Sequence, residues 1–422
     1  MRSFTAPRSP VVAFVVVLVA ACSTGPAAPA SPTTPSLSSP AATAEASVLS
    51  TIAPSPTAAI PTVPPLPFAA DGLIVFYRTN DARSNNTPFM IDPDGSNETE
   101  LAVDIGSGAW SADGTRRVIA VGEGGRQTFK DPEGMVSWGR LATINADGSG
   151  FQLLDAYPGR KINLGPIGWS RDGTSIFVTT SGDDLDPLQV GLSTVRASDG
   201  GGLSTIVSTP VGYQDFYALS PDGTHLLVKR GTPDDSQRFL LVANADGSGL
   251  HRLSSPDPKV QEMNLDFWDG ASEAWSPDGA RIAFCAHDSV GDQPFALFIA
   301  NADGTGRRQT VGPEIGAISA RWSPDGKWIA FTSKLRAGAQ VWKAHPDGTG
   351  LVRLTDGADG SVSVVPVWSP DGSKLLFQRL KADQVTLWTM NADGSGQKQL
   401  SATPLANGDF VGGYEWWPVP RS

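Results

Sequence analysis

Reactive side chains are scarce in this 422-residue sequence. There are four histidines, His225, His251, His287 and His345, and two cysteines, Cys22 and Cys285. No His-x-x-x-His pair suited to a metal occurs, His225 and His345 fall beside repeated turns and read as incidental surface residues, and no Gly-x-Ser-x-Gly turn presents a serine nucleophile. Asp92, Asp94 and Gly95 match part of a calcium loop. The further oxygen ligands and distal glutamate of such a loop are missing, so an Asp-Gly turn is expected and calcium is only a weak alternative. Three carboxylates, Asp183, Asp184 and Asp186, stand together, and His287 and Asp288 fall in the equivalent loop two repeats later. Together they offer an acidic funnel or a weak metal site, against the plainer reading of solvated loops. Asp266, Phe267, Trp268 and Asp269 set two aromatics between two acids, a pattern that suits recognition of a protein or a carbohydrate, against the plainer reading that Phe267 and Trp268 tuck beneath the loop as a small satellite core. Trp138 and Arg140 end a second long mixed segment, 122–140. Catalytic residues, cofactors and structural metals are not expected from these patterns.

The chain that must position these groups begins with Arg2 and Arg8 and an apolar run from Val11 to Val19. That run is about half of the ~20 residues a membrane span needs, so residues 1–21 read as a signal peptide. Val19-Ala20-Ala21-Cys22 then resembles the lipobox of bacterial lipoproteins. The resemblance implies that Cys22 is diacylated, and two acyl chains give stable membrane attachment. Residues 22–68 are rich in Pro, Ala, Ser and Thr, with Glu45 as the single charge. Such a segment cannot bury enough apolar surface to offset its ordering entropy and reads as an extended stalk.

Beyond the stalk, internal repeats set the architecture. Trp-Ser-x-Asp-Gly begins at Trp110, Trp169, Trp275, Trp322 and Trp368, with Leu219 taking the tryptophan position once. Asn-Ala-Asp-Gly-Ser/Thr-Gly begins at Asn145, Asn244, Asn301 and Asn391, with looser copies at Asp92, Ala197 and His345. Asp-Gly is a strong hairpin signal, and short alternating strands flank both motifs. Four strands in each repeat of about 50 residues make a propeller blade. The expected fold is therefore an all-β, seven-bladed β-propeller over residues 69–420, with six blades as the alternative. Tyr414-Glu415-Trp416-Trp417-Pro418 carries Trp-Trp-Pro where Trp-Ser-Pro is expected. This terminal strand is expected to complete the first blade and close the ring, removing exposed sheet edges. The repeated tryptophan is expected between blades, and Cys285 as a small buried hydrophobe.

These two motifs resemble the repeats of TolB-type propellers, over about residues 70–418. The resemblance implies the fold and an exported setting, but function less specifically. That family's translocation protein places an α/β domain before a six-bladed ring, and related peptidases append a hydrolase domain, so neither role is expected here.

Composition bounds the partners. A net charge of −11, more acidic still once Arg2 and Arg8 are removed, disfavours nucleic acid and anionic membrane surfaces. The expected protein is a monomeric lipoprotein on the outer side of a bacterial membrane, touching the bilayer through its lipid alone and binding a protein or glycan. The alternative is a metal-dependent lactonase or esterase using carboxylates at the channel mouth.

Overall fold

The computed structural model describes residues 72–80, 85–101, 108–111, 113–121, 140–154, 156–157, 160–233, 238–253, 260–262, 275–288, 295–333, 338–382, 384–401, 406–407 and 413–418. The leader, Cys22, the stalk, Trp138 and Asp266–Asp269 lie outside these residues.

Seven antiparallel sheets follow one another along the chain, each a meander of four strands. Blades 2 to 7 cover 108–154, 163–208, 214–252, 260–311, 317–353 and 362–399. In blade 7 a short extra strand, Ala406–Asn407, also pairs with the third strand. Blade 1 takes its second to fourth strands from Leu73–Asn80, Asn85–Ile91 and Thr99–Glu100. Its first strand is Tyr414–Trp417, from the far end of the chain. Leu73 pairs with Trp417 and Phe76 with Tyr414, so the expected closure is present. First strands lie against each other between blades 2 and 3, 3 and 4, 6 and 7, and 7 and 1.

The core is divided into seven layers, one between each pair of neighbouring blades. A blade exposes an apolar face on both sides, because alternate residues of a strand point to opposite faces. The repeated tryptophans fill these layers from the ends of the first strands. Trp169 Nε1 donates to Ala109 O of the preceding blade at 3.0 Å, and Trp368 Nε1 does the same to Arg321 O at 3.1 Å. The residue opening the preceding blade's second strand often covers the ring: Arg116 over Trp169 and Arg281 over Trp322, both at 4.8 Å. His225 takes that place beside Trp275, so it is a packing residue rather than an incidental surface one. Cys285 is buried, as expected.

The closing strand uses two adjacent tryptophans because it must serve two layers. Trp416 enters the layer between blades 7 and 1, and Trp417 that between blades 1 and 2. There Trp417 meets Trp110 edge-to-face, with centroids 5.3 Å apart. Arg117, 1% exposed, lies over Trp417 at 4.4 Å and donates from Nη2 to Glu415 Oε2 at 2.7 Å. Trp417 Nε1 donates to the same oxygen at 2.8 Å. Gly72 abuts the strand's end. Its φ is +96°, and a Cβ there would stand 2.1 Å from Trp417 O.

Glu415→Ala removes a charge-assisted bond from a buried guanidinium and should destabilise the ring by about 1.5–3 kcal/mol. Arg117→Met, which keeps the packing and removes the buried charge, should cost less. Denaturant midpoints of the two variants compare the effects, and equal costs would contradict this account of closure.

Candidate functional site

Most polar groups of the repeats are committed to their own turns. In blade 6, buried Ser323 donates from Oγ to Asp325 Oδ1 at 2.6 Å and accepts the Trp328 N–H at 2.9 Å. Asp325 also accepts the Lys327 N–H at 3.1 Å. Equivalent bonds tie Ser111 to Asp113, Ser170 to Asp172, Ser220 to Asp222, Ser276 to Asp278 and Ser369 to Asp371. The second turn is similar: Asp393 accepts the Ser395 N–H and hydroxyl at 2.9 and 2.6 Å. Asp94 holds Ser96 in the same way, so the partial calcium motif is an Asp-Gly turn. Glycines of the second turn press on the preceding blade. A Cβ on Gly348 would stand 2.5 Å from Thr310 O, and one on Gly247 2.6 Å from Ile206 O. Hence glycine is required in that turn by sheet packing as well as by its positive φ, whereas in the first turn, where a Cβ on Gly114 would meet nothing within 4 Å, the positive φ alone requires it.

A further buried carboxylate is also fully engaged. Asp215, whose side chain is 0% exposed, accepts Arg230 through both oxygens at 2.8 and 2.6 Å. Tyr217 donates its hydroxyl to Asp215 at 3.0 Å. Burial, then the Asp215 charge, pushes the Tyr217 phenol up, so this is a closed network rather than an acid–base pair.

Both motif turns lie at one face of the ring, because strands one to two and three to four turn there. The other face collects the hairpin between strands two and three and the link to the next blade. On that loop face, blade 7 forms a cleft of about 580 Å³. Its floor follows from strand register. Arg379 pairs with Thr386, Phe377 with Trp388, and Trp388 with Gln399. Lys381 and Gln384 flank a tight turn in which Ala382 adopts φ +47°. The rim is the 356–361 link from blade 6, where Asp359 Oδ2 accepts Lys381 Nζ at 2.8 Å. That bond, with the Ser361 N–H donated to Asp359 Oδ1 at 3.1 Å, holds the Asp359 carboxyl well below the usual range. The Arg379 guanidinium lies 4.1 Å over Trp388, whose Nε1 donates to Thr386 Oγ1 at 2.9 Å.

The structure separates the sequence candidates. Asp184 Oδ2 accepts the Lys161 N–H at 2.7 Å, and Asp183 pairs with Lys161 Nζ at 3.9 Å. Asp186 caps a short 3-10 turn, Pro187–Gln189. These acids organise a loop of blade 3. His287 and Asp288 are not in a loop: they end a strand of blade 5, paired with Gln261 and Val260. Among the described residues no group of three or more Asp, Glu, His or Cys side chains is placed to hold a metal. Arg140 opens a strand of blade 2, opposite Val121. Asp266–Asp269 fall between Val260–Glu262 and Trp275, both of which pair with the same second strand of blade 5. His345, expected as incidental, stacks on Trp328 at 3.7 Å. Sequence reasoning missed Asp359, Arg379, Lys381, Gln384 and Trp388. Aligning blade 7 with blade 1, where Phe76-x-Arg78 matches Phe377-x-Arg379, marks the position.

The fold defines a seven-bladed β-propeller. Residues 259–409 match the TolB β-propeller domain family. Among solved structures, the chain is similar to a prolyl endopeptidase, with 11% identity, 85% of this chain and 50% of that one covered, and a TM-score of 0.55. It thus spans half that chain's length. It is also similar to a putative TolB from Agrobacterium tumefaciens, with 20% identity, 64% and 95% coverage and a TM-score of 0.41. An oligogalacturonate lyase from Vibrio parahaemolyticus shares 14% identity over 78% of this chain and 84% of that one, with a TM-score of 0.48. No curated protein matches the chain.

The turn aspartates give stability a defined acid limb. The Ser111 hydroxyl, the Thr115 N–H and the Thr115 hydroxyl hold Asp113 down from 3.8 to about 2. A depressed carboxylate contributes fully above its unfolded value and loses that contribution as pH falls through its folded value. The melting temperature should therefore hold steady down to about pH 4 and fall towards pH 2. Asp113→Asn should flatten part of that slope, and an unchanged slope would contradict the assignment.

Proposed function

We propose that this protein is a tethered binding module of the bacterial cell envelope. Cys22 carries the lipid anchor, residues 23–68 act as a spacer, and the propeller presents its loop face to a protein or glycan. The observation that carries this reading is the contrast between the two faces. At one, polar side chains are consumed by repeated turns; at the other, the blade 7 cleft opens. Leu188 and Val211, 73% and 87% exposed, also stand on the loop side of blade 3 and of its link to blade 4, and exposed apolar groups of this kind suit a protein partner. Trp138, Arg140 and the Asp266–Asp269 segment are proposed as further contacts. A metal-dependent lactonase or esterase needs carboxylates converging on one point. The described acids are instead spent in turns and loops, so binding is the stronger reading.

Capture from envelope extract by the full-length chain tests the proposal. Trp268→Ala should weaken capture by about tenfold or more, as loss of a buried aromatic anchor does, without lowering thermal stability. A stability loss with unchanged capture would make Trp268 a packing residue. Cys22→Ser should release the protein from membranes, and retention would overturn the anchor.

A further inference from the structure

Three blades pair aromatic rings across two strands, stacked in blades 1 and 5 and tilted by 34° in blade 7, and cover the pair with an arginine. Phe76 with Phe89, Phe284 with Phe298 and Phe377 with Trp388 pair across the second and third strands. Arg78 lies 4.4 Å from the Phe89 centroid, Arg307 4.5 Å from Phe298, and Arg379 4.1 Å from Trp388. Blades 1 and 7 place the arginine at the same strand position, two residues after the phenylalanine. They differ in what meets its charge. In blade 1, Arg78 Nη2 bonds Glu98 Oε1 at 2.5 Å and donates to Ser401 Oγ at 2.6 Å. In blade 7 the position of Glu98 is taken by Gln397, whose neutral Oε1 accepts Arg379 Nη2 at 2.6 Å. The nearby acids are occupied: Asp359 bonds Lys381, and Asp356 accepts the Ala358 N–H at 3.1 Å. Burial of Arg379 outweighs both aspartates and pushes its pKa down. The guanidinium is thus fixed in plane by stacking, partly desolvated, and faced by a neutral acceptor beside an open cleft.

We infer that the blade 7 cleft receives the carboxylate of an acidic saccharide, with Arg379 as its anion contact. The inference rests on the reading of the loop face as a binding surface. A planar guanidinium matches a carboxylate through two parallel N–H···O bonds. The rest of the lining is the Thr386 hydroxyl, the Gln384 and Gln399 amides, the Trp388 ring and Ala382, with Lys381 and Asp359 at the rim neutralising each other as an ion pair. The hydroxyl and amides pair with sugar hydroxyls, and the ion pair leaves Arg379 as the cation that meets an anion. The cleft volume of about 580 Å³ falls within the range of small-ligand sites.

Gln397→Glu tests the inference without removing a group that lines the cleft. It rebuilds the Arg78–Glu98 pair of blade 1 on Arg379. The full-length chain is titrated calorimetrically with a glucuronate oligosaccharide, a glucose oligosaccharide of equal length and inorganic phosphate. The acidic oligosaccharide should bind at least tenfold more tightly than the neutral one. Q397E should remove that preference, leave any neutral binding unchanged and keep the melting temperature at or above wild type. Equal affinity for both oligosaccharides, or a preference that survives Q397E, overturns the anion contact and leaves the binding-module reading standing. Phosphate binding as tightly as the acidic oligosaccharide overturns the saccharide class. Capture of an envelope protein with no saccharide bound overturns this inference alone, whereas no ligand from any source overturns both.

Discussion

A β-sheet that is apolar on both faces must be covered on both sides, and this constraint governs the whole domain. No blade has a core of its own. Every buried layer is shared by two neighbours, so each blade depends on the next, and the series ends without exposed apolar surface only if it closes. Closure falls to Tyr414–Trp417, a strand of four residues. Its adjacent tryptophans point to opposite faces and fill the layers on either side of blade 1. Glu415 joins it to blade 2 through Arg117, and the Tyr414 hydroxyl donates to Val365 O of blade 7. Val365 is itself held at φ +53°, unusual for a β-branched residue, with its N–H donated to Thr332 of blade 6. A strand of four residues thus bonds blade 1 to both neighbours.

The same constraint divides the two faces of the ring. The second motif turn lies close against the preceding blade, which explains its glycine, and the first holds a buried serine hydroxyl that its aspartate accepts from. Such turns are uniform because packing leaves them little choice. The hairpins and links at the other face carry no such requirement and differ from blade to blade. Blade 7 keeps the phenylalanine and arginine of blade 1 and differs at two positions beside them, Trp388 for Phe89 and Gln397 for Glu98.

Much of the fold was legible in the sequence because the constraint repeats. Two turn motifs at regular spacing gave the strand count, and Trp416-Trp417-Pro418 marked the closing strand. The cleft was not legible in the same way. Its signal is a difference between two repeats at positions far apart in the chain, Glu98 against Gln397, and it acquires meaning only once Arg379 is seen on Trp388. His287 and Asp288 were misplaced because the strand of blade 5 runs on to Asp288, past the point where composition turns polar. His225 and His345 read as surface residues because ring stacking between or within blades leaves no periodic trace.

The claim that closure sustains the ring is tested most directly by unfolding a chain that ends at Gly413. Without the closing strand, two apolar layers lose their tryptophans together. The account predicts loss of the single cooperative thermal transition of the full chain, with exposed apolar surface detectable by dye binding. A truncated chain that melts cooperatively at the full chain's temperature would show that the blades hold together without closure and would contradict the account.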